Sequence, residues 1–182
     1  MTTRIHLEPE ARAFVETAGT PPFLFNLGPE KGRMALDEAQ SGPVSELPVD
    51  SQDLTLKDGP SGDVSIRILR PQNAPATLPA IVYIHGAGWV FGSQHTHDRL
   101  VRELAVRAKA AVEFINYSLS PEARYPTAIE ENYSMVKWAA EHGMEQGLDT
   151  ERLAVAGDGV GGNMAAAVTL LSKERGRPAI RL

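Results

Sequence analysis

Residues 152–171 read RLAVAGDGVGGNMAAAVTLL, and the fold follows from them. Leu153, Ala154, Val155 and Ala156 make a short apolar run suited to a buried strand. A glycine-rich corner follows, Gly157-Asp158-Gly159-Val160-Gly161-Gly162, and then a helix-prone run from Asn163 onward. Strand, tight turn, helix is the pattern. In an open α/β sheet such a turn sets its central residue at the carboxyl end of the strands, where ligands bind.

Upstream the same alternation repeats. Ala80-Ile81-Val82-Tyr83-Ile84 is a continuous apolar run, the mark of a strand buried on both faces. Residues 98–110 are predicted as a helix, capped by Asp98, with Leu100, Val101, Leu104 and Ala108 on its apolar face. Residues 111–117 read as the next strand. Residues 126–142 read as a helix stopped by Gly143, with Ile129, Tyr133, Val136 and Trp138 as buried candidates. Residues 179–182 look like a further strand starting. Strands alternating with helices place the chain in the α/β class, a mostly parallel sheet with helices on both faces. Before this region, residues 54–56 and 64–69 alternate around a multi-residue loop at 58–62, which predicts a β-hairpin at an antiparallel edge.

The first 45 residues carry no sheet pattern. Residues 9–18 read as a helix with Pro9 in its first turn and Ala11, Phe14, Val15 and Ala18 on one face. Residues 21–25 break it and leave aromatics in a loop, and residues 32–40 read as a second short helix. Residues 1–45 are therefore expected to form a cap or lid, and residues 46–182 a partial α/β core.

Composition narrows the function. A length of 182 residues suffices for one sizeable core. The net charge of −5 argues against a nucleic-acid partner, which would want a basic face. No cysteine is present, so there is no disulfide framework and no thiol chemistry. Residues 1–8 hold no apolar signal core, and no run approaches the roughly 20 apolar residues of a membrane helix. The expectation is a soluble, cytoplasmic chain without membrane association. No His or carboxylate cluster has ligand spacing, so neither a metal nor a cofactor is expected.

Three stretches carry chemistry. His85-Gly86-Ala87-Gly88-Trp89 directly follows the strand at 80–84, and small residues there let backbone N–H groups turn into a cleft, as in an oxyanion hole. Tyr117-Ser118-Leu119-Ser120-Pro121-Glu122 joins a strand to a helix and reads as a structural loop. The corner at 157–161 has the frame of a nucleophile elbow, G-x-S-x-G, with glycine where the nucleophile would stand.

Together these resemble the hormone-sensitive-lipase-like family of α/β-hydrolases, carboxylesterases with H-G-G-G and G-D-S-A-G-G signatures. Here the two read HGAGW at 85–89 and GDGVGG at 157–162, and YSLSPE at 117–122 is similar to the family's Y-R-L-A-P-E. The resemblance covers residues 46–182. It implies hydrolysis of short-chain acyl esters by a serine nucleophile in the parent family, and no cofactor. It implies oxyanion amides at Ala87, Gly88 and Val160, with Gly159 at the nucleophile position. His85, Gly86 and Asp158 would be supporting residues, His85 bracing the loop rather than acting as a base.

Two features depart from the family. Gly159 has no side chain, so no acyl-enzyme can form there. Residues 160–182 contain neither Asp nor His, although in this fold acid and base follow the nucleophile in chain order. His6, His95, His97 and His142 lie upstream and read as surface or loop histidines, and Ser93, Ser118 and Ser120 as ordinary loop serines. The expectation is a truncated or inactivated esterase, its ligand a small acyl ester or a carboxylate, its shortened sheet leaving an apolar edge open to self-association.

Two other readings compete. A non-catalytic pseudo-hydrolase would use the same pocket to hold a ligand. A dinucleotide-binding module would use Gly157, Gly159 and Gly162 as G-x-G-x-x-G. That fingerprint wants an acidic residue about 20 positions on, which residues 179–182 lack.

Overall fold

Apolar strands and amphipathic helices alternate in the computed structural model, which describes residues 6–181. Residues 1–5 and 182 lie outside the described residues, and with them most of the signal-core reading and the end of the strand expected at 179–182. The elements are α1 (Pro9–Ala18), α2 (Leu24–Ala39), β1 (Val49–Gly59), β2 (Gly62–Pro71), β3 (Leu78–Ile84), α3 (Asp98–Ala108), β4 (Ala111–Asn116), α4 (Thr127–His142), β5 (Leu148–Gly157) and α5 (Val160–Glu174).

The sheet order is β1-β2-β4-β3-β5. The hairpin β1–β2 pairs antiparallel to β4, while β3 runs parallel to both β4 and β5. Ile84 at the end of β3 lies level with Gly157 at the end of β5. The loop after β3 and the turn after β5 therefore leave the sheet side by side, which brings HGAGW against GDGVGG.

The α4 and α5 helices cover one face of the sheet, over a core that includes Ile66, Val82, Ile115, Met135, Leu153 and Met164. On the other face α3 packs Val101 and Ala105 on Leu69, Tyr83, Val112 and Phe114. The β4 strand is the central one and is buried throughout most of its length, Glu113 included. Neither oxygen of the Glu113 carboxyl has a partner among the described residues, and burial pushes its pKa up to about 8.

Several local expectations are corrected. The hairpin strands continue to Gly59 and resume at Gly62, so Pro60 and Ser61 alone form the turn. The apolar–polar alternation of β1 ends past Leu56 because the hairpin register shifts between Leu56 and Gly59. His97, not Asp98, is the cap of α3, and Leu100 and Ala108 are exposed because the buried stripe runs through Val101 and Ala105. Ile129 and Trp138 are half-buried, whereas Glu131, Asn132 and Met135 join Tyr133 and Val136 inside. The apolar face read on α1 is not buried: no residue of α1 is, and Phe14 is 71% exposed. The second helix begins at Leu24 rather than residue 32, with a break at Gly28 (φ 75°), so Phe25 is helical. The segment after α5 forms no full strand among the described residues, yet Arg181 N–H donates to the Leu153 carbonyl at 3.0 Å, the first rung beside β5.

Candidate active site

The corner between β5 and α5 is set by close backbone approach. A Cβ on Gly157 would stand 2.5–2.6 Å from Gly161 backbone atoms and the Ile84 carbonyl oxygen. A Cβ on Gly161 would drive into that same carbonyl. Both positions need glycine so that β5, α5 and the end of β3 can touch. Gly162 is less tightly held, with its nearest neighbour at 3.2 Å. The packing thus demands 157 and 161, the elbow frame, rather than the 157-159-162 spacing of the dinucleotide reading. Between them Gly159 holds φ 52° and ψ −120°, a conformation sparsely populated by residues with a side chain. A Cβ added at Gly159 would meet nothing within 4 Å, so the position has room for a side chain but strains its backbone.

The loop after β3 carries the matching half. His85 is 1% exposed, with its ring stacked on Tyr117 (4.2 Å between centroids) and Phe114 (5.3 Å). Burial pushes its pKa down to about 4, so the ring is neutral near pH 7. Its Nδ1 lies 3.0 Å from the Gly86 carbonyl, and the Tyr117 hydroxyl donates to the His85 carbonyl at 2.9 Å. Ala87, Gly88 and Trp89 then take φ of 72°, 70° and 61° in succession. Glycine accommodates this at Gly88, while Ala87 and Trp89 hold it at a cost. The N–H groups of Ala87, Gly88 and Val160 find no acceptor among the described residues.

Asp158 joins the two halves. Its Oδ1 accepts from Gly86 N–H at 2.9 Å and from the Tyr83 hydroxyl at 2.7 Å. Burial, with that bond to Asp158, holds the Tyr83 phenol well above its ordinary pKa. The approach leaves no space for a side chain at 86, since a Cβ there would meet the Asp158 backbone oxygen at 2.7 Å.

His97 is not the surface histidine expected. Its side chain is 13% exposed, its ring lies 5.3 Å from that of His85, and its Nε2 is 3.6 Å from Asp158 Oδ1. Ser118 is not an idle loop serine either. Its N–H and hydroxyl both donate to the buried Glu131 carboxylate at 2.7 Å, and Ser61 at the hairpin turn donates to the same group. Sequence reasoning also missed Arg33 on α2. It donates to the carbonyls of Val90 (2.7 Å) and Ser120 (2.9 Å) and grips Glu122 through both terminal nitrogens (2.9 and 2.8 Å). Arg33 holds the Glu122 carboxyl far below the usual carboxylate range, at about 2. These partners lie 57 or more residues away in the chain, and no local pattern signals such a contact.

Beside the corner opens a cavity of about 550 Å³, lined by residues 88–90, parts of the 118–126 loop, Ala128 and Ile129 of α4, and Asn163 of α5. Asn163 sits one turn beyond Gly159, to whose carbonyl its N–H donates at 3.2 Å. Among the described residues, no three His, Cys, Asp or Glu side chains gather as a metal site, and no helix is long and apolar enough to cross a membrane.

Comparison with known proteins gives a consistent set of relatives. Residues 81–182 match the family described as having the alpha/beta hydrolase fold. The chain is 41% identical over 164 residues to the esterase LipI of Mycobacterium tuberculosis, covering 87% of this chain and 50% of that protein. It is 34% identical over 173 residues to a putative alpha/beta hydrolase of Acanthamoeba polyphaga mimivirus, covering 95% and 49%. Among solved structures, a thermostable esterase from Pseudomonas putida superposes with a TM-score of 0.90 at 40% identity, covering 96% of this chain and 55% of that one. The chain spans about half the length of the curated relatives it matches.

Proposed function

This chain belongs to the α/β-hydrolase family, in its hormone-sensitive-lipase-like branch, and from that premise we propose that its corner binds the carbonyl of small acyl esters but does not turn them over through residue 159. The observation that carries the reading is Gly159 itself. It holds the strained elbow conformation with open space where a side chain would stand, next to three N–H groups without acceptors among the described residues. Such N–H groups would polarise an ester carbonyl and favour charge developing on its oxygen. Without an oxygen at 159 nothing there attacks the carbonyl carbon, and the loss of a nucleophile costs several orders of magnitude in turnover. The neutral, enclosed His85 is a brace for the loop and not a base. The described residues up to 45 form the cap of this site, with α2 fastened by Arg33 to the two loops that border it.

The test is hydrolysis of p-nitrophenyl acetate by the purified chain. The expected rate is that of buffer. A rate well above buffer would overturn the loss of turnover. If that rate also survived Ala87→Pro, which removes one of the three N–H groups, the corner would not be the site of the chemistry.

A further inference from the structure

We propose that the cavity beside the corner selects esters that carry a second, anionic group, and that Arg124 is the residue that holds it. The inference rests on the corner being the ester-carbonyl site and names the substrate class that site takes. The walls of the cavity are mostly apolar or backbone: Gly88, Trp89, Val90, Pro126, Ala128 and Ile129. Two of the polar side chains in it are already occupied. The Ser118 hydroxyl donates to Glu131, and the Ser120 hydroxyl donates to the Ala123 carbonyl. Arg124 differs. Its guanidinium has neither a hydrogen bond nor an ion pair among the described residues, although it stands on the cavity lining. Glu122, two residues earlier in the chain, is held by both terminal nitrogens of Arg33. The lining therefore includes both Gly88, whose N–H has no acceptor among the described residues, and an exposed, uncompensated cation. A half-ester of a dicarboxylic acid presents the complementary pair, a neutral ester at one end and a carboxylate at the other, joined by methylenes that suit the apolar wall. A guanidinium receives a carboxylate through paired N–H donors.

The competing role for Arg124 is packing alone, its stem lying along the apolar wall with its head in water. The two roles separate in a binding measurement. Trp89 lines the cavity and reports occupancy by its fluorescence. The chain is titrated at pH 7 and low salt with monomethyl succinate, adipate and suberate, and with the corresponding dimethyl esters. Ester integrity is checked by chromatography afterwards. The expected result is that at least one half-ester binds about five-fold tighter than its dimethyl ester, the upper end for an exposed ion pair. The preference should be lost in Arg124→Gln and should weaken at 1 M salt. Equal affinities for the two ester series, or a preference that survives Arg124→Gln, would overturn the role of Arg124 and leave the ester cavity standing. No binding by any of the six esters would overturn the ester cavity itself, and this inference with it.

Discussion

The corner and the N-terminal helices are built by opposite means. At the corner, backbone meets backbone. Gly157 and Gly161 lie against the Ile84 carbonyl, Gly86 lies against Asp158, and none of the three has space for a methyl group. In the N-terminal region, α1 buries no residue and α2 buries only Gly32, whose neighbour is the ring of Phe91 at 2.5 Å from an added Cβ. A ring can swing aside, whereas a carbonyl at the end of a central strand cannot. Beyond that contact, α2 is fastened by two side chains: the guanidinium of Arg33, and Asp37, whose carboxylate accepts from the Ser93 hydroxyl at 3.2 Å. A site that must hold N–H groups ready for a developing charge gains from rigid backbone construction. A segment proposed to cover that site would gain from a fastening made of a few side chains.

The comparison breaks most sharply under alanine. Gly161→Ala should abolish the cooperative unfolding transition seen by circular dichroism, because the added methyl has no route away from the Ile84 carbonyl. Gly159→Ala, two residues away, should fold and lose only about 1–3 kcal/mol, the cost of its backbone conformation. Gly159→Ser should likewise lower the melting temperature. Gly32→Ala should cost less still. If Gly161→Ala melted normally, the corner would not be the rigid part of the molecule.

Proton titration should separate the two regions by sign. The Glu113 carboxyl in β4 has a folded pKa of about 8, above its ordinary value of about 4.3. Below pH 4 both folded and unfolded chains hold its proton. Between pH 4.3 and 8 only the folded chain does, so stability should fall as pH rises by up to roughly 1.4 kcal/mol per unit, levelling above 8. Glu113→Leu should flatten that slope and raise the melting temperature at pH 8. The Arg33–Glu122 fastening runs the other way. Its carboxyl is held near 2, so its contribution is complete above pH 4.3 and is lost as pH falls from there through 2. Limited proteolysis within residues 9–39 should therefore accelerate toward pH 3. Arg33→Met should reproduce that at pH 7 with little change in the melting of the core. Proteolysis insensitive to both would show that the Asp37 contacts hold α2 without Arg33.

What was readable in the sequence divides along the same line. The elements at residues 80–89 and 152–171 were legible because an apolar run, a glycine corner and a helix are local patterns, and the candidate site draws on that consecutive backbone. The His97 approach to Asp158, the Arg33 clamp and the meeting of Ser61, Ser118 and Glu131 were not legible. Each joins residues far apart in the chain through side chains of ordinary type. The α1 stripe shows the converse limit. Its periodicity gives a helix, but periodicity cannot say whether anything covers the stripe, and Phe14 is left largely exposed. The strand expected at 179–182 shows one rung among the described residues, at Arg181.

The smallest effect tests the corner from within. Ala87 sits at φ 72° between Gly86 and Gly88, and with Trp89 is one of two non-glycine residues that this loop holds at positive φ. A left-handed alanine costs on the order of 1 kcal/mol or more, and glycine would remove that cost while adding somewhat less in unfolded-chain entropy. Ala87→Gly should therefore raise stability by a few tenths of a kcal/mol, up to about 1, read as a small rise in the denaturant midpoint at unchanged slope. Gly88→Ala is the mirror experiment: φ is 70° and the space beside the residue is open, so it should lose a similar amount. Opposite signs at 87 and 88 would mean that backbone conformation alone sets this loop. A loss at both would mean that the Ala87 methyl packs against something the loop needs, and that the corner too depends on a side chain.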